Sequence, residues 1–285
     1  MLFKPRHDFL IGIDSDGCVF DSMEAKQTLH FHPLIIRHWG LKPIEPELRA
    51  VAEYVNLRSP WRGSNRFLAL LKTFEFLDQW EEAHHPLVSL PDYKDLCEWI
   101  HSGDTLNHDA LAVRAKDSPE LKRVLEWSND VNRDIAENLP PPPPFDGAAD
   151  TLSLLHARAD AVVISLTPLE ALLREWKASG LRYDVDAIAG QEWGTKPEQI
   201  RLAMSQGTYN PDHVLIIGDA PGDLKAAKET GVAFFPIIPG REVQCWRQLL
   251  SEDMDLFFSG KYRGKPELDR IGDFEAVLNE PPPWA

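Results

Sequence analysis

Short apolar runs that end in a carboxylate or a hydroxyl recur along this sequence. Residues 9–13 (FLIGI) run into Asp14, residues 161–164 (AVVI) into Ser165, and residues 213–217 (HVLII) into Gly218-Asp219. A less clean run covers 232–237. Runs that are apolar on both faces suit strands of a parallel sheet covered by helices. Helical patterns over about 168–178, 196–206 and 222–229 separate the later runs. The alternation predicts an α/β fold, a Rossmann-like parallel sheet with helices on both faces.

Residues 22–145 interrupt the alternation with mostly helical periodicity. Phe67, Leu70, Leu71, Phe74 and Leu77 form one apolar stripe, and Ser59-Pro60 reads as the N-cap and first position of that helix. Leu111 to Trp127 reads as a second helix, and Pro140–Pro144 as a stiff polyproline spacer. The expected organisation is an α/β core of 1–21 and 146–285 with a helical domain, 22–145, inserted after the first strand. A single large domain with a helical excursion is the plainer alternative; the proline joint favours insertion. Two further helices are expected at Cys245–Leu250 and Asp269–Leu278, and Pro281–Pro283 on the surface.

Composition narrows the function classes. A chain of 285 residues that is 43% hydrophobic can bury a sizeable core, which excludes global disorder and a disulfide-stapled miniature fold. A net charge of −15 argues against nucleic acid and against an anionic membrane surface as partners, while leaving room for a small anionic substrate at a local site. The three cysteines, Cys18, Cys97 and Cys245, lack metal-binding or redox spacing, so a reducing, cytoplasmic setting is expected. The apolar run before Asp14 is too short for a signal peptide or a membrane span.

Four places carry potential chemistry, each at or just past a strand's carboxyl end, where open α/β sheets bind ligands. Asp14-Ser15-Asp16-Gly17 sets two carboxylates two residues apart, which a divalent cation would balance; an ordinary Asp/Gly loop reads the same way. Ser165 precedes Thr167-Pro168-Leu169-Glu170, a capping box beside which an anion could bind, although a turn serine has the same signature. Lys196 sits in a second box, Thr195 to Glu198, where the helix dipole disfavours a cation unless a phosphate or carboxylate offsets it; a solvated lysine is the alternative. Asp219 and Asp223 supply a second acidic half-site, or merely a polar turn. With Asp14 and Asp16 they would form a four-carboxylate cluster that calls for a hard cation, Mg²⁺.

In order, spacing and preceding strands, these residues resemble the haloacid dehalogenase superfamily. The resemblance covers roughly residues 8–21 and 146–237, and 22–145 falls where such proteins carry a helical cap. It implies that Asp14 is the nucleophile and forms an aspartyl-phosphate, and that Asp16 is the general acid and base. It implies Mg²⁺ bound by Asp14, Asp219 and Asp223, the last directly or through water, with the backbone carbonyl of Asp16 also touching it. Ser165 and Lys196 would hold phosphoryl oxygens. The family's dehalogenases lack the second Asp; its presence as Asp16 points to phosphoryl transfer. The expected activity is hydrolysis of a small soluble phosphomonoester such as a sugar phosphate, a phosphoglycolate-like acid or a nucleotide. A sugar-phosphate mutase with the same chemistry and a non-catalytic phosphate-binding protein are the alternatives.

The inserted segment adds one local signal. Residues 52–74 hold Arg58, Arg62, Arg66 and Lys72 against Glu53, a basic stretch in an acidic chain. Arg62 and Arg66 are expected on one helix face, with Arg58 ahead of it. The three arginines could recognise a second anionic or hydroxyl-bearing group of the substrate, or simply pair with nearby glutamates.

Overall fold

A computed structural model describes residues 3–284. Five parallel strands, β1 (Leu10–Ile13), β2 (Asp160–Ile164), β3 (Ala187–Ala189), β4 (Val214–Gly218) and β5 (Ala233–Pro236), form one sheet in the order β3-β2-β1-β4-β5. Every strand residue is buried, as two-sided helical cover requires. The central β1 pairs with β2 and β4, with Ile13 opposite both Val163 and Ile217. Chain direction reverses its walk across the sheet at β1, so the loops leaving β1, β2 and β4 open side by side at the switch point.

The chain divides into two compact units. One holds the sheet and comprises residues up to Met23 together with Pro141–Leu278; the other comprises Glu24–Pro140 and the C-terminal residues from Asn279. In the helical unit, α1 (His32–Trp39) follows a π-helical turn over Lys26–Phe31, and α2 (Glu45–Leu57), α3 (Arg66–Gln79), α4 (Lys94–His101), α5 (His108–Arg114) and α6 (Pro119–Asn138) complete it. Its core is built on Leu48, Val55, Phe74, Trp99 and Trp127. In the sheet unit, α7 (Ala148–His156), α8 (Leu169–Ala178), α9 (Lys196–Met204), α10 (Pro221–Thr230), α11 (Glu242–Gln248) and α12 (Lys265–Leu278) surround the strands. Trp176 and Trp246 are fully buried in that second core.

Several local expectations are corrected. The stripe of Phe67–Leu77 lies on α3, but Asn65 caps this helix by accepting from the Phe67 amide. Ser59-Pro60 instead follows α2, and the Ser59 hydroxyl donates to Val55 O. Arg62 is therefore outside any helix and does not share a helical face with Arg66. The expected helix from Leu111 to Trp127 is two helices, because Ser118 accepts from the Leu121 amide and restarts the chain with Pro119 at the first position. The end of the proline run is tied down rather than free-standing. Pro143 O accepts from the Asp21 amide and the Phe145 amide donates to Val19 O, so exit and re-entry of the sheet unit lie side by side.

The C-terminal residues from Asn279 group with the helical unit rather than with the sheet unit, and Pro281 and Pro283 are exposed as expected. The Trp284 ring stacks on Trp80 at 5.0 Å and meets Tyr54 and Phe76 edge-on, while the Tyr54 hydroxyl donates to Glu280 O. Trp284→Ala should cost about 2 kcal/mol of stability in urea unfolding, from lost apolar burial and ring contacts. An unchanged unfolding midpoint would show that the contact contributes nothing.

Candidate active site

Asp14 continues β1 by one residue, its amide donating to Ile217 O at 2.9 Å, and its side chain is buried at the carboxyl edge of the sheet. Gly17 then turns the chain with φ 75°, a left-handed conformation natural only to glycine. The loop closes on itself: Val19 and Phe20 amides both donate to Ser15 O, and the Gly17 amide donates to Phe20 O. From α8, the buried Trp176 indole donates to the Ser15 hydroxyl at 3.0 Å.

From the other side, β4 ends in Gly218 and Asp219, and α10 opens with Pro221. Asp223 folds back over its helix start and accepts from the Ala220 amide at 3.1 Å. Gly218 is obligatory, since a Cβ there would lie 2.4 Å from the Asp223 carboxyl carbon. Carboxylate oxygens of Asp14, Asp219 and Asp223 thus lie within 4.8 Å of one another, all buried.

Lys196, at the start of α9, joins two of the three. Its ammonium lies 2.9 Å from Asp14 Oδ2 and 2.5 Å from Asp223 Oδ1. The expected box forms on α9, with Glu198 accepting from the Thr195 amide and hydroxyl, so the lysine is presented from a fixed helix end. Gln199, one turn on, donates to the carbonyls of Ser165, Gly190 and Gly194 and staples the loops after β2 and β3 to α9. No periodicity in the sequence announces that role.

The electrostatics follow from burial. Loss of solvent raises the Asp14 carboxyl to about 6, with Lys196 opposing and Asp223 reinforcing the rise. Asp223 is raised for the same first reason. For Lys196, burial favours the neutral amine, but the two carboxylates outweigh it and hold the ammonium form. One ammonium, that of Lys196, is shared by Asp14 and Asp223. Three hard oxygen donors of this kind fit a small divalent cation.

Lys196→Met removes the compensating charge and leaves Asp14 facing Asp223. The expected cost is about 3–5 kcal/mol at neutral pH in the presence of chelator. Both carboxyls would then titrate above their unfolded values, so their cost appears as pH rises through the folded pKa. The variant should therefore lose more stability at pH 8 than at pH 5.5 by urea unfolding. Equal losses at both pH values would contradict the charge assignment.

Asp16 is not one of the three residues whose side-chain oxygens lie within 4.8 Å of one another. Its Oδ1 accepts from the Ser22 hydroxyl at 2.5 Å and its Oδ2 from the Thr167 hydroxyl at 2.8 Å. Ser165 is nearly inaccessible at the end of β2, with its Oγ accepting from the Thr167 amide at 3.2 Å. The box expected over Thr167–Glu170 does not form. Thr167's hydroxyl is taken by Asp16, α8 begins at Leu169, and the Leu169 amide donates to the Glu192 carboxylate instead. Cys18 is buried, its thiol pushed up by burial first and then by the neighbouring aspartates, consistent with a packed rather than reactive sulfur.

The arginines of the helical unit differ among themselves. Arg58 is exposed and paired with Glu53 at 2.7 Å. Arg62 is buried and donates to Leu57 O at 3.0 Å. Arg66 donates to the Ser128 hydroxyl at 3.1 Å and Asn132 Oδ1 at 2.7 Å, and its guanidinium lies over the Phe31 ring. Burial lowers it to about 10.

Asp14, Asp16, Lys196, Asp219 and Asp223 are thus gathered at the carboxyl edge of one parallel sheet. The family model of haloacid dehalogenase-like hydrolases matches residues 67–237, more than half of the chain, and includes Ser165, Lys196, Asp219 and Asp223. The chain belongs to that family. No curated protein matches the sequence. Among solved structures, it is similar to a haloacid dehalogenase-like family hydrolase from Xanthomonas campestris (12% identity, TM-score 0.54, 93% of this chain and 100% of that one). It is also similar to a protein from Haemophilus somnus described as a predicted phosphoglycolate phosphatase (15% identity, TM-score 0.51, 80% and 85% covered). At these identities the likeness speaks for the fold. No helix among the described residues is long and apolar enough to cross a membrane.

Proposed function

We propose that this chain is a Mg²⁺-dependent phosphomonoester hydrolase for a small soluble organic phosphate, working through an aspartyl-phosphate on Asp14. The observation that carries the reading is the buried group of Asp14, Asp219 and Asp223, whose carboxylate oxygens lie within 4.8 Å of one another, with the Lys196 ammonium 2.9 Å from Asp14 Oδ2.

In the first step an Asp14 oxygen attacks phosphorus, the bond to the leaving alcohol breaks, and Asp16 gives its proton to that oxygen. In the second, Asp16 takes a proton from water, the water oxygen bonds to phosphorus, and the bond to Asp14 breaks to release phosphate. The Ser165 hydroxyl and Lys196 ammonium hold nonbridging oxygens through both steps. Asp14, Asp219 and Asp223 would hold a divalent cation, which when bound would supply the charge neutralisation that lets an anionic nucleophile approach an anionic phosphate.

Residues 24–140 serve in this reading as a cap that selects the leaving group and excludes water. Arg58 is engaged by Glu53, so in this reading Arg66 is the arginine that would recognise a second anionic or polyhydroxyl group on the substrate. The hydrogen bonds of Arg66 among the described residues go to neutral acceptors, which leaves its charge for such a group. Phosphate release from a panel of sugar phosphates, phosphorylated hydroxy acids and nucleotides, with Mg²⁺ and with chelator, tests the whole reading. Metal-dependent turnover supports it, and a raised KM in Arg66→Met identifies the substrates that use the cap. Absence of release by folded, metal-loaded protein across the panel would overturn it.

A further inference from the structure

The chain passes between the two units at Met23–Glu24, at Pro140–Pro141 and again after Leu278, the last residue of α12. The first two passages frame the helical unit as an insertion. The third brings residues 279–284 onto an aromatic surface of that unit, built by Tyr54 on α2, Phe76 on α3 and Trp80 just past it.

Few contacts hold the tail there. The Tyr54 hydroxyl donates to Glu280 O at 3.1 Å. The Trp284 ring stacks on Trp80 with an interplanar angle of 15°, and meets Tyr54 at 5.4 Å and Phe76 at 5.9 Å edge-on. Phe76 also meets Tyr54 and Trp61 edge-on, so the receiving rings brace one another. Pro281, Pro282 and Pro283 have no amide to donate, and among the described residues the Trp284 amide makes no backbone hydrogen bond. Pro282 and Trp284 are half-buried while Pro281 and Pro283 are exposed, so alternate residues of the tail face the helical unit.

This is the chemistry by which aromatic-lined surfaces take proline-rich segments: rings receive the side chains, and a hydroxyl takes a backbone carbonyl. Proline fixes φ in advance, so the segment gives up little freedom on docking. A state held by one ring and one hydrogen bond is reversible, with the undocked form at about 0.1–10%.

We propose that residues 279–284 are a latch. Docked on Tyr54, Phe76 and Trp80, they add a third connection between the helical and sheet units; undocked, they leave the helical unit on its two hinge segments alone. The occupant of the aromatic surface is the chain's own tail.

The test uses the full chain with spin labels at Val113→Cys on α5 and Leu154→Cys on α7, both exposed positions, in a Cys97→Ser background; Cys18 and Cys245 are buried and stay unlabelled. Trp284→Ala makes the undocked form dominant, so the distance distribution should be about twofold broader than with the native tail. A synthetic peptide of residues 279–285 should bind Trp284→Ala with Kd of about 0.1–1 mM, the order set by an effective concentration of millimolar divided by the docking preference. It should bind the native chain about tenfold more weakly, because the tail competes. Lacking a link to α12, the peptide should fill the aromatic surface without narrowing the distribution again. If Trp284→Ala does not fold, Trp284→Leu carries the same comparison. An unchanged distribution, a distribution that the peptide narrows, or a peptide that does not bind the folded variant would overturn the latch. Dimers of the native chain that disappear in Trp284→Ala would assign the surface to the tail of a second copy and overturn it as well.

Discussion

Asp14→Asn is expected to abolish phosphate release, by about 10⁴-fold or more, without unfolding the protein. The amide has the same size and sits in the same buried socket, so packing around β1 is preserved. It lacks the anionic oxygen that would attack phosphorus, and nothing nearby replaces it. Asp16 is held away by Ser22 and Thr167, and the Cys18 thiol is buried with its pKa pushed up. Lys196 keeps its 2.5 Å contact with Asp223, so the buried ammonium is not orphaned. A second readout separates loss of chemistry from loss of fold. Mg²⁺ should raise the melting temperature of the native protein, because a ligand bound only by the folded state stabilises it by mass action. The rise should shrink in Asp14→Asn, which has one ligand fewer, and shrink further in Asp219→Asn/Asp14→Asn. Residual turnover above about one per cent would place the nucleophile elsewhere, because removing a true nucleophile costs orders of magnitude more.

What the sequence disclosed and what it hid have a common physical cause. Runs at 9–13, 161–164 and 213–217 are visible because a strand buried on both faces must be continuously apolar, and the polar residue ending each run marks the sheet's carboxyl edge. Asp14, Ser165 and Asp219 could be placed on that basis alone. The strand β3 is only Ala187–Ala189, too short and too bland to rise above its surroundings. The hydroxyl partners of Asp16 are set by the tertiary fold rather than by its local sequence. Ser22 and Thr167 are six and 151 residues away from Asp16 along the chain, distances that no local pattern encodes. Thr167 was misleading for a further reason, since its spacing to Glu170 imitates a capping box while its hydroxyl is committed to Asp16. The same holds for the tail, where Trp284 finds Trp80 and Tyr54 across more than two hundred residues of sequence.

The second large effect concerns stability in acid and originates in His32, at the start of α1. The side chain is 1% exposed, and neither ring nitrogen has a hydrogen-bond partner among the described residues. Burial, with a smaller contribution from the Arg49 charge, lowers its pKa to about 3. In the unfolded chain an ordinary histidine titrates near 6.5. Between those values the unfolded state binds a proton that the folded state refuses, so stability falls as pH falls from about 6.5 towards 3. The slope approaches about 1.4 kcal/mol per pH unit, which gives a loss of nearly 3 kcal/mol by about pH 4.5. Carboxylates also titrate in this range, so the quantity to measure is the difference between the native chain and His32→Leu. The leucine fills a similar apolar space and cannot take a proton. Urea unfolding at pH 7.5, 5.5 and 4.5 should show the variant gaining on the native chain by about 1.4 kcal/mol between the first two and about as much again by the third. A constant difference across the three would mean that His32 is protonated with equal ease in the folded chain. It would place solvent or a proton acceptor beside the ring and remove the acid-sensitive element from the helical unit.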